Sequence, residues 1–180
     1  MNDARATRLL QRCDVLEQAM CIRVNRGCRY GRIRQLFAVV SRLGDGVFWY
    51  ALMLALALSG EAGAMVAAQM AATAVVGLAL YRQLKHRLVR ERPYIANADI
   101  HLGAAPLDRY SFPSGHTLHA TCFTTLATTH VPELAPLLMP FMVLVASSRV
   151  VLGLHYPTDV VAGALIGYLL ALGSLSVWPV

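Results

Sequence analysis

Five apolar runs separated by short polar breaks dominate the chain, at residues 46–60, 63–81, 116–131, 134–152 and 158–178. Most approach the roughly 20 residues needed to cross the hydrocarbon core of a bilayer; the first is the shortest. Lipid offers the backbone no water to hydrogen-bond, so runs of this kind must be helical. Composition agrees: 57% of residues are hydrophobic and 14% charged, against roughly 45–50% and 25% in soluble domains. Those values exclude an ordinary globular enzyme and a disordered chain. The expected fold is all-α, a polytopic transmembrane helical bundle of about five spans.

The first 43 residues are different. Leu9, Leu10, Cys13, Leu16, Ala19, Met20 and Val24 recur at helical spacing among Arg and Glu, which predicts an amphipathic helix lying in the interface. Residues 36–40 are too short an apolar stretch, and too closely flanked by Arg34 and Arg42, to cross. The chain therefore divides into a basic interfacial segment, 1–43, and a membrane-embedded core, 44–180. The polar start does not read as a signal peptide. Asp45 opens the first run, followed by Trp49 and Tyr50 as an interface pair. After Tyr81 the second helix is expected to continue through RQLKHRLVRERP until Pro93 ends it, with 94–112 a polar loop. Cys13, Cys21, Cys28 and Cys122 have no CxxC or zinc-ligand spacing and are expected to be free thiols. The basic segments flank apolar runs, so a membrane surface or anionic headgroup suits them and nucleic acid does not.

Ionisable residues within membrane segments are costly and call for a reason. Three clusters stand out: Lys85-x6-Arg92-Pro93, Pro113-Ser114-Gly115-His116 and Ser148-Arg149-x5-His155-x3-Asp159. With alternating spans, the second run ends, the third starts, the fourth ends and the fifth starts on one face of the membrane. Topology alone thus brings the clusters together. Lys85, Arg92 and Arg149 suit a tetrahedral oxyanion. Ser114 and Gly115 add a hydroxyl and amides at a helix start. His155 can attack phosphorus while His116 donates a proton, and Asp159, four residues on, can orient the His155 ring. The cations fill the role that metals fill elsewhere, so no metal or other cofactor is expected.

Taken in order, the clusters resemble the tripartite signature K-x6-RP, PSGH, SR-x5-H-x3-D of the type 2 phosphatidic acid phosphatase family. That resemblance implies a helical membrane core, commonly of six spans, and a fold shared with vanadium haloperoxidases. It implies Lys85, Arg92 and Arg149 as phosphate ligands with Ser114 and Gly115 as further contacts. His116 would be the acid, and His155 with Asp159 the nucleophile pair. The implied substrate is a phospholipid or isoprenoid lipid carrying a phosphomonoester or diphosphate, hydrolysed through a phosphohistidine. Phosphatidic acid, phosphatidylglycerophosphate, polyprenyl diphosphate and lipid A phosphate all fit. A lipid phosphotransferase using the same phosphohistidine and a non-catalytic lipid-binding scaffold are the alternatives. A haloperoxidase is disfavoured by the apolar composition.

Other residues read as structural. His86, Arg87 and Arg90 read as a basic helix end at the lipid surface, and His119 as structural or supporting. His101, His130 and Asp108 have no partner visible in the sequence. Sidedness divides two arguments. Bacterial relatives usually present this site to the periplasm, whereas all 16 Lys and Arg fall on the site's side of a five-span chain. By the positive-inside rule the second argument turns the site to the cytoplasm, in an expected bacterial inner membrane.

Overall fold

A computed structural model describes the backbone of residues 3–178 and the side chains from Asp14 to Trp178. The described residues form helices α1 (Asp3–Asn25), α2 (Gly31–Arg42), α3 (Phe48–Leu58), α4 (Glu61–Arg87), the short α5 (Pro93–Ala96), α6 (Gly115–His130), α7 (Ala135–Val151) and α8 (Pro157–Val177). Four helical stretches are long and apolar enough to cross a membrane: Gly31–Leu58, Glu61–Arg87, Pro132–Val151 and Pro157–Val177. Their outward residues are apolar, including Leu54 and Leu58 on α3, Val75 and Val76 on α4, Val143 on α7, and Val161 and Leu165 on α8. A bundle that is greasy outside as well as inside belongs in lipid: this is an integral membrane protein.

Helix α6 is the third of the expected runs. Its 16 residues span only about 24 Å, and it is enclosed by α4, α7 and α8. Most of it is buried, threonines included. The half-buried Thr125 and Thr128 and the exposed Thr129 return their hydroxyls to carbonyls one turn back, bonding a polar side chain to its own helix. Its tightest neighbour is α8. A Cβ on Gly163 would lie 2.5 Å from the Ser114 carbonyl oxygen, and one on Gly167 2.1 Å from that of Leu118. Only glycine permits this crossing, which sets the start of α8 against the start of α6.

The first spanning helix begins earlier than the run 46–60 suggests. α2 and α3 join through a kink at Leu43–Val47, where Asp45 and Gly46 leave helical geometry, into one 28-residue element, Gly31–Leu58. Trp49 is not at an interface. It is buried against Phe48, Phe123 and Phe141 in the main core, its indole nitrogen donating to the Gly44 carbonyl at 3.1 Å. Tyr50 alone of that pair is exposed.

Helix α1 packs on the bundle by a polar edge. Glu17, Cys21 and Asn25, one turn apart, face the protein and are buried, while Val15, Leu16, Met20 and Val24 face outward. The predicted apolar positions Leu9, Leu10 and Cys13 lie outside the described side chains. Asn25 fixes the helix end by donating to the Val151 and His101 carbonyls, both at 2.9 Å. Cys21, Cys28 and Cys122 are free and buried. Burial, with the nearby Glu17 and Asp159 charges, pushes the Cys21 thiol up to about 12, which leaves it unreactive.

Candidate active site

Helix α4 ends at Arg87, not at Pro93. Residues 88–92 are non-helical instead, Arg92 itself in extended geometry, and the Ser111 amide pairs with the Arg90 carbonyl at 2.8 Å. Released from the helix, Arg90 and Arg92 both turn into the protein, Arg90 onto Glu17 and Asp159 and Arg92 onto Asp108 and the Leu154 carbonyl. Continued helix would have set them about 200° apart.

The start of α6, the end of α7, the 152–156 turn and the start of α8 complete the site. His116 is buried on the first turn of α6, within electrostatic reach of Arg149, His155, His119 and Arg92. His155 is 2% exposed, and Arg92 Nη1 lies 3.3 Å from its Nε2. Arginine can only donate, so Nε2 carries the lone pair and the ring proton sits on Nδ1. That proton faces Asp159 Oδ2 at 3.6 Å, too far for a formed hydrogen bond, and Nδ1 has no other partner. Burial, then the charges of Arg149, Arg92 and Lys85, hold the His155 imidazole well below its ordinary pKa, so it stays neutral with a free lone pair.

Asp159 has a second duty. Its Oδ2 accepts the Tyr156 amide at 2.9 Å at the start of α8, so it also caps the helix. Its Oδ1 accepts from Arg90 Nη1 at 2.8 Å, and Arg90 Nη2 bonds Glu17 at 2.6 Å. Arg90 is therefore not a lipid-surface charge. It clamps the orienting carboxylate and ties α1 to the site. Glu17 closes the tie by accepting the Thr158 amide at 2.7 Å.

The cations are placed unequally. Lys85 donates to Asp108 and to the Tyr110 carbonyl. Arg92 donates to the Asp108 carboxylate at 2.7 Å, to its carbonyl at 2.9 Å and to the Leu154 carbonyl at 2.8 Å. Tyr81 donates to the same carboxylate. Asp108, which had no partner visible in the sequence, is thus the counterion of two predicted phosphate ligands. Burial raises its pKa, but hydrogen bonds from Lys85 and Tyr81, with the Lys85 and Arg92 charges, hold the carboxyl down at about 2. Arg149, 2% exposed, donates to Ser41 of α2, and its Nε has no acceptor among the described residues. Of the PSGH cluster, Ser114 is fully buried, its hydroxyl 2.9 Å from that of Thr117 and its amide bonded to the Asp159 carbonyl. Gly115 packs against the Tyr81 ring, too close for a side chain.

A cavity of about 490 Å³ opens beside His116. Trp49, Tyr50 and Met53 of α3, Ala74, Val75 and Leu78 of α4 and Phe123 of α6 form its apolar wall, while His116, His119, Tyr81 and Asp45 form its polar end. Its size and lining suit a small ligand or one apolar chain attached to a polar head.

Known proteins match this architecture. The chain is 40% identical over 117 residues to the decaprenylphosphoryl-5-phosphoribose phosphatase of Mycolicibacterium smegmatis, covering 64% of this chain and 62% of that protein. It is 38% identical over 95 residues to the undecaprenyl-diphosphatase of Sulfolobus acidocaldarius, covering 52% and 46%. The matches thus span less than two thirds of either relative. Among solved structures, LpxE of Aquifex aeolicus superposes with a TM-score of 0.76 at 26% identity, over 86% of this chain and 92% of that one. The PAP2-type phosphatidylglycerolphosphate phosphatase of Bacillus subtilis shares the fold, with a TM-score of 0.67 at 22% identity, over 92% and 85%. A family profile matches residues 46–179 and takes in all three clusters, so the chain belongs to the PAP2 superfamily.

Proposed function

We propose that this protein is a membrane phosphatase that hydrolyses a lipid phosphomonoester or lipid diphosphate through a phosphohistidine. One observation carries the reading. A neutral, buried His155 backed by Asp159 lies with Arg92 and Arg149 within electrostatic reach of His116, and His116 lines the polar end of an apolar cavity. His155 Nε2 attacks phosphorus. The bond to the leaving oxygen breaks, and His116 delivers a proton to that oxygen, becoming neutral. Water then attacks the phosphohistidine, His116 takes its proton, and phosphate leaves with His155 restored. Lys85, Arg92 and Arg149 stabilise the charge on the equatorial oxygens, with Gly115 lining the pocket and Ser114 buried beside it. The polyprenyl-linked substrates in the names of the two curated relatives favour an isoprenoid phosphate within this class.

The direct test is phosphate release by the detergent-purified protein from farnesyl phosphate, farnesyl diphosphate, phosphatidic acid, phosphatidylglycerophosphate and lipid A phosphate. We expect turnover of the isoprenoid substrates and no loss in EDTA, because protein cations supply the charge stabilisation. Activity lost on chelation and restored by magnesium contradicts that electrostatic reading.

The same reading covers orientation. Glu17 on α1 reaches Arg90 and Thr158 at the site's end of the bundle, so the basic N-terminal segment lies on the site's side. The positive-inside rule then favours a site facing the cytoplasm of a bacterial inner membrane. A cysteine placed at Ala98 in a cysteine-free background should resist an impermeant maleimide in intact spheroplasts and react after lysis. Labelling without lysis would turn the site outward.

A further inference from the structure

The turn between α2 and α3 carries a group that the signature does not include. Asp45 sits inside a membrane-spanning helix, where a carboxylate is costly unless it has a partner and a use. The helix is reshaped around it. Asp45 itself leaves helical geometry (φ −85°, ψ 19°), and Gly46 follows at φ 127°, a conformation open to glycine. Gly44 packs so closely on Val145 that a Cβ would lie 2.7 Å from it. Here the turn aims the Asp45 carboxylate along the cavity wall, with Oδ1 3.4 Å from His116 Nε2.

The surroundings say why that matters. A proton on His116 stands near two fixed cations, Arg149 from α7 and Arg92 from the 88–92 segment, and beside the imidazoles of His155 from the 152–156 turn and His119 one turn along α6. The other nearby carboxylates are committed elsewhere. Asp108 holds Lys85, Arg92 and Tyr81, and Asp159 holds Arg90 and the Tyr156 amide. Asp45 is the carboxylate that faces His116, and at 3.4 Å it balances charge without a tight hydrogen bond on the proton the acid must give away.

We propose that Asp45 is the positioning carboxylate of the acid: it offsets the neighbouring cations in favour of a proton on His116 and aims that proton at the leaving oxygen, and so sets how well the enzyme cleaves esters whose alkoxide needs a proton. The assignment rests on the phosphoryl-transfer reading above. As the P–O bond breaks, its electron pair stays on oxygen and takes the His116 proton, while Asp45 keeps its charge throughout. A diphosphate expels a stable phosphate anion and depends on that proton far less.

Farnesyl phosphate and farnesyl diphosphate share one tail and differ in leaving group, so initial rates on the pair isolate the effect. General acid catalysis contributes about 10²–10⁴-fold, so Asp45→Asn should lower kcat on the monophosphate by about 10²-fold with little change in KM, and the loss on the diphosphate should be at least about tenfold smaller. His116→Ala should show the same split. Asp45→Glu, which keeps the charge, should recover much of the monophosphate rate. Equal losses on both substrates, losses on neither, or an Asp45→Glu protein no better than Asp45→Asn each overturn the role of Asp45. A His116→Ala protein without the split overturns instead the assignment of His116 as the acid.

Discussion

Replacing His155 with alanine should abolish phosphate release from every lipid phosphate, a loss of at least about 10⁴-fold, because the bond-forming atom is gone and no neighbour can stand in for it. The geometry makes this the most severe single change in the site. Nε2 is the unprotonated nitrogen because Arg92 can only donate to it. The remaining proton faces a carboxylate already anchored at both oxygens, by Arg90 and by the Tyr156 amide. Rapid acid-free quenching of the wild-type protein should trap phosphate in an acid-labile, alkali-stable form that the variant lacks. The pH profile supplies a second check. Burial and three flanking cations keep the imidazole neutral well below the ordinary histidine range, so the nucleophile stays competent as pH falls through about 6.5. A fall in kcat/KM at that pH that follows protonation of His155 contradicts the assignment, as does substantial turnover by His155→Ala.

The clusters were legible in the sequence because their chemistry is carried by residue type and spacing. Alternating spans then place Lys85, His116, Arg149 and Asp159 at one end without any knowledge of packing. The later helices were legible for the same reason: an apolar run ending in polar residues has little freedom about where to stop. What escaped was decided by contacts between segments distant in sequence. Asp108 sits in a loop with no periodicity, and nothing local indicates that it will meet Lys85 and Arg92. Arg90 looked like one more cation at a helix end because continued helix would have pointed it to the lipid surface. The helix stops at Arg87 instead, and the non-helical segment turns it inward onto Asp159. Trp49 followed the usual preference of tryptophan for the membrane interface, yet the Gly44 carbonyl at the kink gives its indole a buried partner. That kink also hid the length of the first span. Asp45 and two glycines read as a boundary, whereas they form a kink between two helices that together make one spanning element.

Arg149→Lys should lower kcat/KM by about 10²–10³-fold although the charge is kept. Arg149 sits in the last turn of α7, where a cation also meets the negative end of the helix dipole. It is 2% exposed, so its side chain cannot swing to find a new pose. One guanidinium nitrogen is anchored on Ser41 of α2. The buried Nε–H has no acceptor among the described residues, and an unmet donor in such a place carries a penalty that a phosphoryl oxygen would relieve. Lysine can offer its charge to the same region, but it cannot hold Ser41 and also present a planar fork to two oxygens. The deficit should therefore fall mainly on kcat, where the equatorial oxygens carry most charge. Vanadate, which mimics the five-coordinate state, should inhibit the lysine protein far less than the wild type. Equal kcat/KM and equal vanadate inhibition in the two proteins would show that only the charge of Arg149 is used, and that its buried Nε–H meets no oxygen of the transferred group.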